Sequence, residues 1–330
     1  MMLHIHNGDS SANILKESAL PGEHLAWREA LIAGPTPQNL RDDEWRRERA
    51  AHLSEAYEVK QEDCTNSLLE QDRALYDFAR HKEVVLWFEH DLFCQLHLVY
   101  LLQWFAKQEL GATKLSLVCV DSFPGVDDFR GLGQLNPAQM ASLFDARREV
   151  SDAQLGLAAA AWQAYCAPAP DGLQEIINDD SSALPFLKDA LRAHLARFPS
   201  VKNGLGQVEN QALKLISEGH RGFTGLFHEF GEREAIYGLG DFQFWNELKR
   251  LMKAKTPLLI AGNTDLEGSL ASGAFAKAIF ELTEAGASVL EGKADFVALN
   301  GIDAWLGGVH LSGAESLWRW DEQRENLKRL

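Results

Sequence analysis

Apolar positions in this chain fall into runs of two kinds. Val84-Val85-Leu86-Trp87-Phe88 and Leu115-Ser116-Leu117-Val118-Cys119-Val120 are short, nearly continuous and rich in β-branched or aromatic residues. That is the pattern of strands buried on both faces of a parallel sheet. Leu3-His4-Ile5-His6 and His24-Leu25-Ala26-Trp27 are shorter strand candidates. Between these runs, stretches at about 10–19, 40–54, 60–80 and 91–109 carry apolar residues at helical spacing, as with Leu92, Leu96, Val99 and Tyr100 in the last. Strand alternating with helix predicts an α/β fold, with a doubly wound, mostly parallel sheet over residues 1–135.

Residues 136–200 read as a helical connector. Asn136-Pro137 starts a helix with proline at its first position, and Ser151-Asp152-Ala153-Gln154 is a capping box before an alanine-rich helix. Ala167-Pro168-Ala169-Pro170-Asp171-Gly172 is the most linker-like segment, and a further helix covers about 183–197. Over residues 201–330 no new βαβ unit appears. Three short helices are marked by Val208, Ala212, Leu215 and Ile216, by Phe223, Leu226, Phe227 and Phe230, and by Phe244, Leu248, Leu251 and Met252. Leu258-Leu259-Ile260, a Gly/Ser-rich break from Gly262 to Gly273, Ala278-Ile279-Phe280 and a helix capped by Thr283 follow. This order predicts a winged-helix-like domain, with residues 300–311 as its wing hairpin and Trp305, Trp318 and Trp320 covering the join to the first domain.

Composition narrows the function classes. The chain has 330 residues, and 32 Lys+Arg against 48 Asp+Glu give a formal charge of −16. Such a charge repels phosphate backbones, so nucleic acid is an unfavoured partner outside a local basic face. The third C-terminal helix offers Lys249, Arg250, Lys253 and Lys255 only in its last half and begins with Asp241, a modest basic end. Cys64, Cys94, Cys119 and Cys166 show no CxxC spacing and read as core thiols. The most apolar stretch, 92–105, is interrupted by Gln95, His97 and Gln103 and is shorter than the roughly 20 residues a bilayer needs. With no basic, apolar leader at the start, the expectation is a cytoplasmic protein without a membrane segment.

Ligands in open α/β sheets bind beyond the carboxyl ends of the strands, where helix N-termini and backbone donors converge. Here those ends are Asn7-Gly8-Asp9-Ser10-Ser11, Glu89-His90-Asp91 and Asp121-Ser122. Gly8 permits a tight turn, Asp9, Ser10 or Ser11 is placed to cap the next helix, and that helix's free amides suit a phosphate or carboxylate, with Gly8, Ser10 and Ser11 as candidate ligand-binding residues. Asp9, Glu89, Asp91 and Asp121 form a candidate set for a hard cation such as Mg²⁺. Asp9 and Asp91 are candidate acid–base groups, with His90 as proton carrier. His6, Gln95 and the pair Arg28 and Glu29 complete the candidate ligand-binding residues, Arg28 as an anion clamp. Each has a bland counterpart: Asp91 as a helix cap, Glu89 as a solvated acid, Arg28 in a surface ion pair, and His90, Cys94 and His97 as a packed helix stripe rather than a metal site. The Gly8-Asp9-Ser10 triplet also raises Ser10 as a nucleophile. No histidine, however, has Asp three positions before it, and Gly262-Asn263-Thr264-Asp265 only loosely echoes the companion block of such esterases.

His4 to Ser10, Leu20-Pro21-Gly22-Glu23 with Trp27-Arg28-Glu29 and Gly34-Pro35, and Trp87 to Phe93 together resemble the family catalogued as domain of unknown function 1835. Arg197-Phe198-Pro199-Ser200 through Gly204-Leu205, Gly240-Asp241-Phe242 and Gly307-Gly308-Val309-His310 resemble the C-terminal half of its longer members. The resemblance implies an arrangement of segments and adds no reaction and no catalytic residue. The resulting expectation is a protein that binds a small polar, phosphorylated or nucleotide-like ligand at the strand ends and hydrolyses or transfers part of it. Its C-terminal part would then be a packing module or a surface for a protein partner or a second copy. The alternative is a ligand-sensing regulator with a winged helix that touches DNA.

Overall fold

A computed structural model describes residues 1–262, 268–315 and 317–330. The Asn263-Thr264-Asp265 echo lies outside the described residues. The first part is built from β1 (Met2–His6), α1 (Asp9–Lys16), β2 (Glu23–Ala26), α2 (Asp42–Tyr57), α3 (Gln61–Tyr76), β3 (Glu83–Glu89), α4 (Leu92–Phe105) and β4 (Lys114–Val120). Next come α5 (Pro137–Ser142), β5 (Arg148–Glu149), α6 (Asp152–Tyr165), α7 (Asp171–Asn178) and α8 (Leu187–Leu195). The sheet order is β2-β1-β3-β4-β5, with the first four strands parallel and the two-residue β5 antiparallel at the edge. The chain leaves β1 toward β2 and then crosses back to β3, so the topological switch lies between β1 and β3.

Alternation along β3 sorts the two faces. Val85 and Trp87 join Leu15 of α1 and Met140 of α5 in one cluster, while Val84, Leu86 and Phe88 join Leu3, Ile5 and the apolar residues of α4 in another. The helix starts follow the capping signals: Asp91 caps α4, Asn136 and Ser151 form capping boxes on α5 and α6, and the side chain of each accepts a backbone N–H. At α1 the expectation fails. Gly8 itself is the cap residue, at φ 93°, and Asp9 is already helical, so none of Asp9, Ser10 and Ser11 caps that helix.

The second part begins with α9 (Gln207–Ser217), α10 (Phe223–Arg233) and α11 (Asp241–Lys253). Then follow β6 (Leu259–Ala261), α12 (Ser269–Ser272), β7 (Phe280–Leu282), α13 (Glu284–Leu290), α14 (Phe296–Asn300), β8 (Ile302–Leu306), β9 (Val309–Gly313), β10 (Trp318–Asp321) and β11 (Asn326–Arg329). β6 and β7 pair antiparallel, and Gly222, just before α10, bridges Ile279 beside them. The hairpin belonging to the three helices is therefore β6–β7. The hairpin at 300–311, expected to be the wing, pairs among the described residues only within itself as β8–β9. Its Gly307-Gly308 turn lies against the end of α6: Gly308 N donates to Tyr165 O at 2.8 Å, and a Cβ on Gly308 would stand 1.9 Å from Cys166 O. The same contact pins the start of the proline-rich segment that the sequence presented as a linker. One apolar cluster runs from Leu3 through the connector to Trp320 and is not interrupted at residues 135 or 200.

Candidate functional site

The ends of β1 and β3 do meet. Asn7 donates from Nδ2 to Cys94 Sγ, the Cys94 thiol donates to Glu89 Oε2 at 3.0 Å, and the Leu132 amide donates to Glu89 Oε1 at 2.6 Å. On the other side, His97 Nε2 accepts from the Leu31 amide at 3.3 Å, which leaves the Nδ1 proton to face Asn7 Oδ1 at 2.6 Å. Gln95 Nε2 donates to Glu89 O at 2.6 Å, and Asp91 Oδ1 accepts from Cys94 N at 2.8 Å. Burial raises the pKa of both acids, and Glu89 beside it helps push Asp91 up to about 7. Burial also raises the Cys94 thiol well above its usual range and draws His97 down to about 4. The cluster is covered as well as satisfied. A Cβ on Gly131 would meet the Glu89 carboxylate at 2.9 Å, and one on Gly238, between α10 and α11, would meet Asp91 Oδ1 at 2.1 Å.

Several residues expected at this site lie apart from it. Asp9 is drawn outward into a two-point pair with Arg28, at 2.8 and 2.7 Å, with both side chains about half exposed. Asp121 is exposed and accepts from Ser122 Oγ. Glu29, expected to touch ligand, is buried against Arg49 at 2.7 Å. Among the described residues, the grouped metal-binding atoms are those of Glu89, Asp91 and Cys94, within 4.8 Å of one another. The expected set of Asp9, Glu89, Asp91 and Asp121 is thus not assembled. The group that does form suits Mg²⁺ poorly, because it includes a thiol, and both Glu89 oxygens and Asp91 Oδ1 already accept protein hydrogen bonds. His6 stacks on Trp87 and holds His24 Nδ1 at 3.1 Å through Nε2. Ser10 is exposed opposite Gly133, and His90 lies edge-on to Phe186. Of the residues expected at the strand ends, His6, Ser11 and His90 each carry a buried atom with no hydrogen-bond partner among the described residues: His6 Nδ1, Ser11 Oγ and His90 Nδ1.

An open cleft lies elsewhere in the molecule. About 420 Å³ in volume, it separates the loop after β2 from α11 and β8. Its first wall is residues 32–35, whose backbone is fixed by side chains that capture its carbonyls. Arg49 donates to Ala30 O, Ala33 O and Pro35 O, Tyr165 to Leu31 O, and Arg197 to Ile32 O. The opposite wall is the polar face of α11, carrying Gln243, Asn246, Glu247, Lys249 and Arg250. Trp305 of β8, with its ring 4.4 Å from His310, and His52 and Tyr57 of α2 also line the cleft. Burial pushes Tyr57 up to about 12 and His52 down to about 4. α11 reaches across to the end of α2: Gln243 donates to the Tyr57 hydroxyl at 2.6 Å, Asn246 to Ala56 O at 2.8 Å, and Lys249 pairs with Glu58 at 3.3 Å.

Sequence reasoning missed this cleft. Its cations, Arg197, Lys249 and Arg250, come from segments far apart along the chain, and Arg49 reads as one more charge on an amphipathic helix. The available signal was the repeated turn glycine and proline at 34–35 and 199–206. No helix among the described residues is long and apolar enough to cross a membrane. No protein-family model and no curated protein matches the chain.

Proposed function

We propose that this protein binds a small polar ligand carrying one acidic group, such as a nucleoside monophosphate or an aromatic carboxylate, in the cleft between the β2 loop and α11. The observation that carries the reading is an open volume of about 420 Å³ lined by Arg197, Lys249 and Arg250 together with Trp305 and Tyr57. That volume is in the range of small-molecule sites, and the mix of aromatic faces with a few fixed charges is their usual make-up. The cations are accompanied in the lining by Glu55, Glu209, Glu247 and Asp303. A ligand with many negative charges is therefore disfavoured, and one acidic group on a ring-bearing body fits best. Membership of the domain of unknown function 1835 family is part of the same proposal: Gly34-Pro35 and Arg197 to Gly204, two separated segments of that resemblance, line this cleft.

Thermal-shift titration against nucleoside mono- and triphosphates and aromatic carboxylates tests the reading. The expected result is stabilisation by the singly acidic compounds, lost in Arg197→Gln with Arg250→Gln; no shift with any of them defeats it. The three unpartnered atoms His6 Nδ1, Ser11 Oγ and His90 Nδ1 favour a second reading, a polar ligand at the strand ends with Asp91 as acid and His90 as proton carrier. Ligand binding abolished by Asp91→Asn but retained in the double arginine variant would support that alternative. The winged-helix description of α9 to β7 belongs here too, with the single Gly222–Ile279 bridge standing beside the β6–β7 hairpin. A DNA-reading role is disfavoured, because the polar face of α11 is turned onto α2.

A further inference from the structure

In the lining of the cleft Glu247 lies between two guanidinium groups without closing on either. Its Oε1 is 3.7 Å from Arg197 Nη2, and its Oε2 is 3.7 Å from Arg250 Nε. Both are ion-pair separations longer than a hydrogen bond. The Arg197 side chain is only 7% exposed, and among the described residues its acceptor within hydrogen-bond reach is Ile32 O at 2.5 Å. A guanidinium has five N–H donors, and those that Arg197 does not give to Ile32 O remain available to an entering group. Arg250 gives one nitrogen to Glu209 and is left with Nε facing Glu247.

We infer that Glu247 is a displaceable stand-in for the acidic group of the cleft ligand: a carboxylate or phosphate enters between Arg197 and Arg250, makes the short bonds that Glu247 does not, and leaves Glu247 to take up one proton from solvent. The inference rests on the reading of the cleft as a ligand site. Burial already raises the pKa of Glu247, so the protonated side chain is within reach once its cations are engaged elsewhere. Burial and the neighbouring Arg197 hold Arg250 down to about 10, a penalty that an entering anion relieves. The other charged and titratable groups facing the site are His52, Glu55 and Tyr57 from α2, Glu209 from α9, Lys249 from α11 and Asp303 from β8. His52 is held neutral, Glu209 is tied to Arg250, Lys249 to Glu58 and Asp303 to His310, and Glu55 is exposed. That leaves Glu247 as the group whose proton is linked to anion binding.

Sulfate is the probe, because it keeps its charge from about pH 5 to pH 8 and so isolates protonation of the protein. It is titrated into the full-length chain while the arginine Nε signals are followed by nitrogen-15 NMR, with assignment by R197K and R250K. Wild type should show shifts at both arginines and an affinity that weakens by up to about tenfold for each pH unit gained above neutrality. Glu247→Gln should bind about tenfold or more tightly at pH 8 and lose the pH dependence. Calorimetry of sulfate binding to wild type in two buffers of different ionisation enthalpy should show uptake of about one proton, a measurement that needs no variant. Sulfate binding at both arginines with no proton uptake, or with the same affinity in E247Q, overturns the role of Glu247 and leaves the cleft reading standing. Arginine signals unmoved in both proteins overturn the two together.

Discussion

The strand-end cluster and the cleft are two polar regions with opposite states of satisfaction. At the strand ends Glu89, Asp91, Cys94, Asn7 and His97 are chained to one another and to the backbone, and Leu132 and Gly238 close over them. In the cleft the chain side of the β2 loop is equally well tied, yet the facing groups of Arg197, Glu247 and Arg250 stand apart around open volume. A density of reactive residue types is therefore a poor guide to a ligand site. Fully connected buried polar groups rigidify a fold, whereas polar groups left apart beside free space retain capacity for something else.

The largest expected effect tests the fixed wall of the cleft. Arg49→Met leaves Glu29 buried without its cation and strips donors from three carbonyls, so urea unfolding should show a loss of about 3–5 kcal/mol. Adding Glu29→Met should restore part of it. A loss under 1 kcal/mol would mean, on the usual scale of a surface charge, that the wall is held by packing alone.

A pH series comes next. His52 and His97 are held near 4 when folded against 6.5 when unfolded, so the unfolded chain binds protons first as pH falls through 6.5. Stability should drop by on the order of 4 kcal/mol from pH 7.5 to pH 5 from these two groups, continuing until about pH 4. Asp91 acts with the opposite sign: its raised folded pKa adds stability as pH falls through about 7. Asp91→Asn keeps the cap oxygen and removes that offset, so the variant should be the more stable above pH 7 and should show the steeper acid decline. Parallel curves for the two proteins would refute the strand-end electrostatics.

The cover of the cluster is tested by Gly238→Ala, which combines a left-handed backbone with a Cβ placed against Asp91. A cost of about 2 kcal/mol in chemical denaturation is expected, and a neutral result would mean the cover gives way freely. Smallest is Asp9→Asn. Its pair with Arg28 is half exposed, so stability should change by no more than about 0.5 kcal/mol. Sulfate binding at Arg197 and Arg250 should be unchanged in this variant; its loss would return Asp9 to the ligand site.

How much of this was legible in the sequence follows from the range of the forces involved. The buried strands at 84–88 and 115–120, the caps at Asp91, Asn136, Ser151 and Thr283, and the meeting of the β1 and β3 ends all arise from local periodicity or from general sheet topology. The displaced hairpin was not legible, because both 258–282 and 300–311 carry strand-like runs around glycines and only tertiary pairing decides which joins the helices. Asp9 misled for a related reason. Its spacing fits a strand-end carboxylate, but Arg28, at the end of the neighbouring β2 segment, offers a two-point partner on the solvent side. The cleft was hidden because its walls are joined by capture of carbonyls, and a carbonyl leaves no mark on residue identity.

The apolar cluster that passes without interruption from Leu3 to Trp320 has a consequence for how the molecule comes apart. Severing the chain near residue 200 would strip the α4 and α8 side of its cover and the α9 to α11 side of its support. Neither fragment would be isolable as a folded piece, and calorimetry of the intact protein should trace one cooperative melting event.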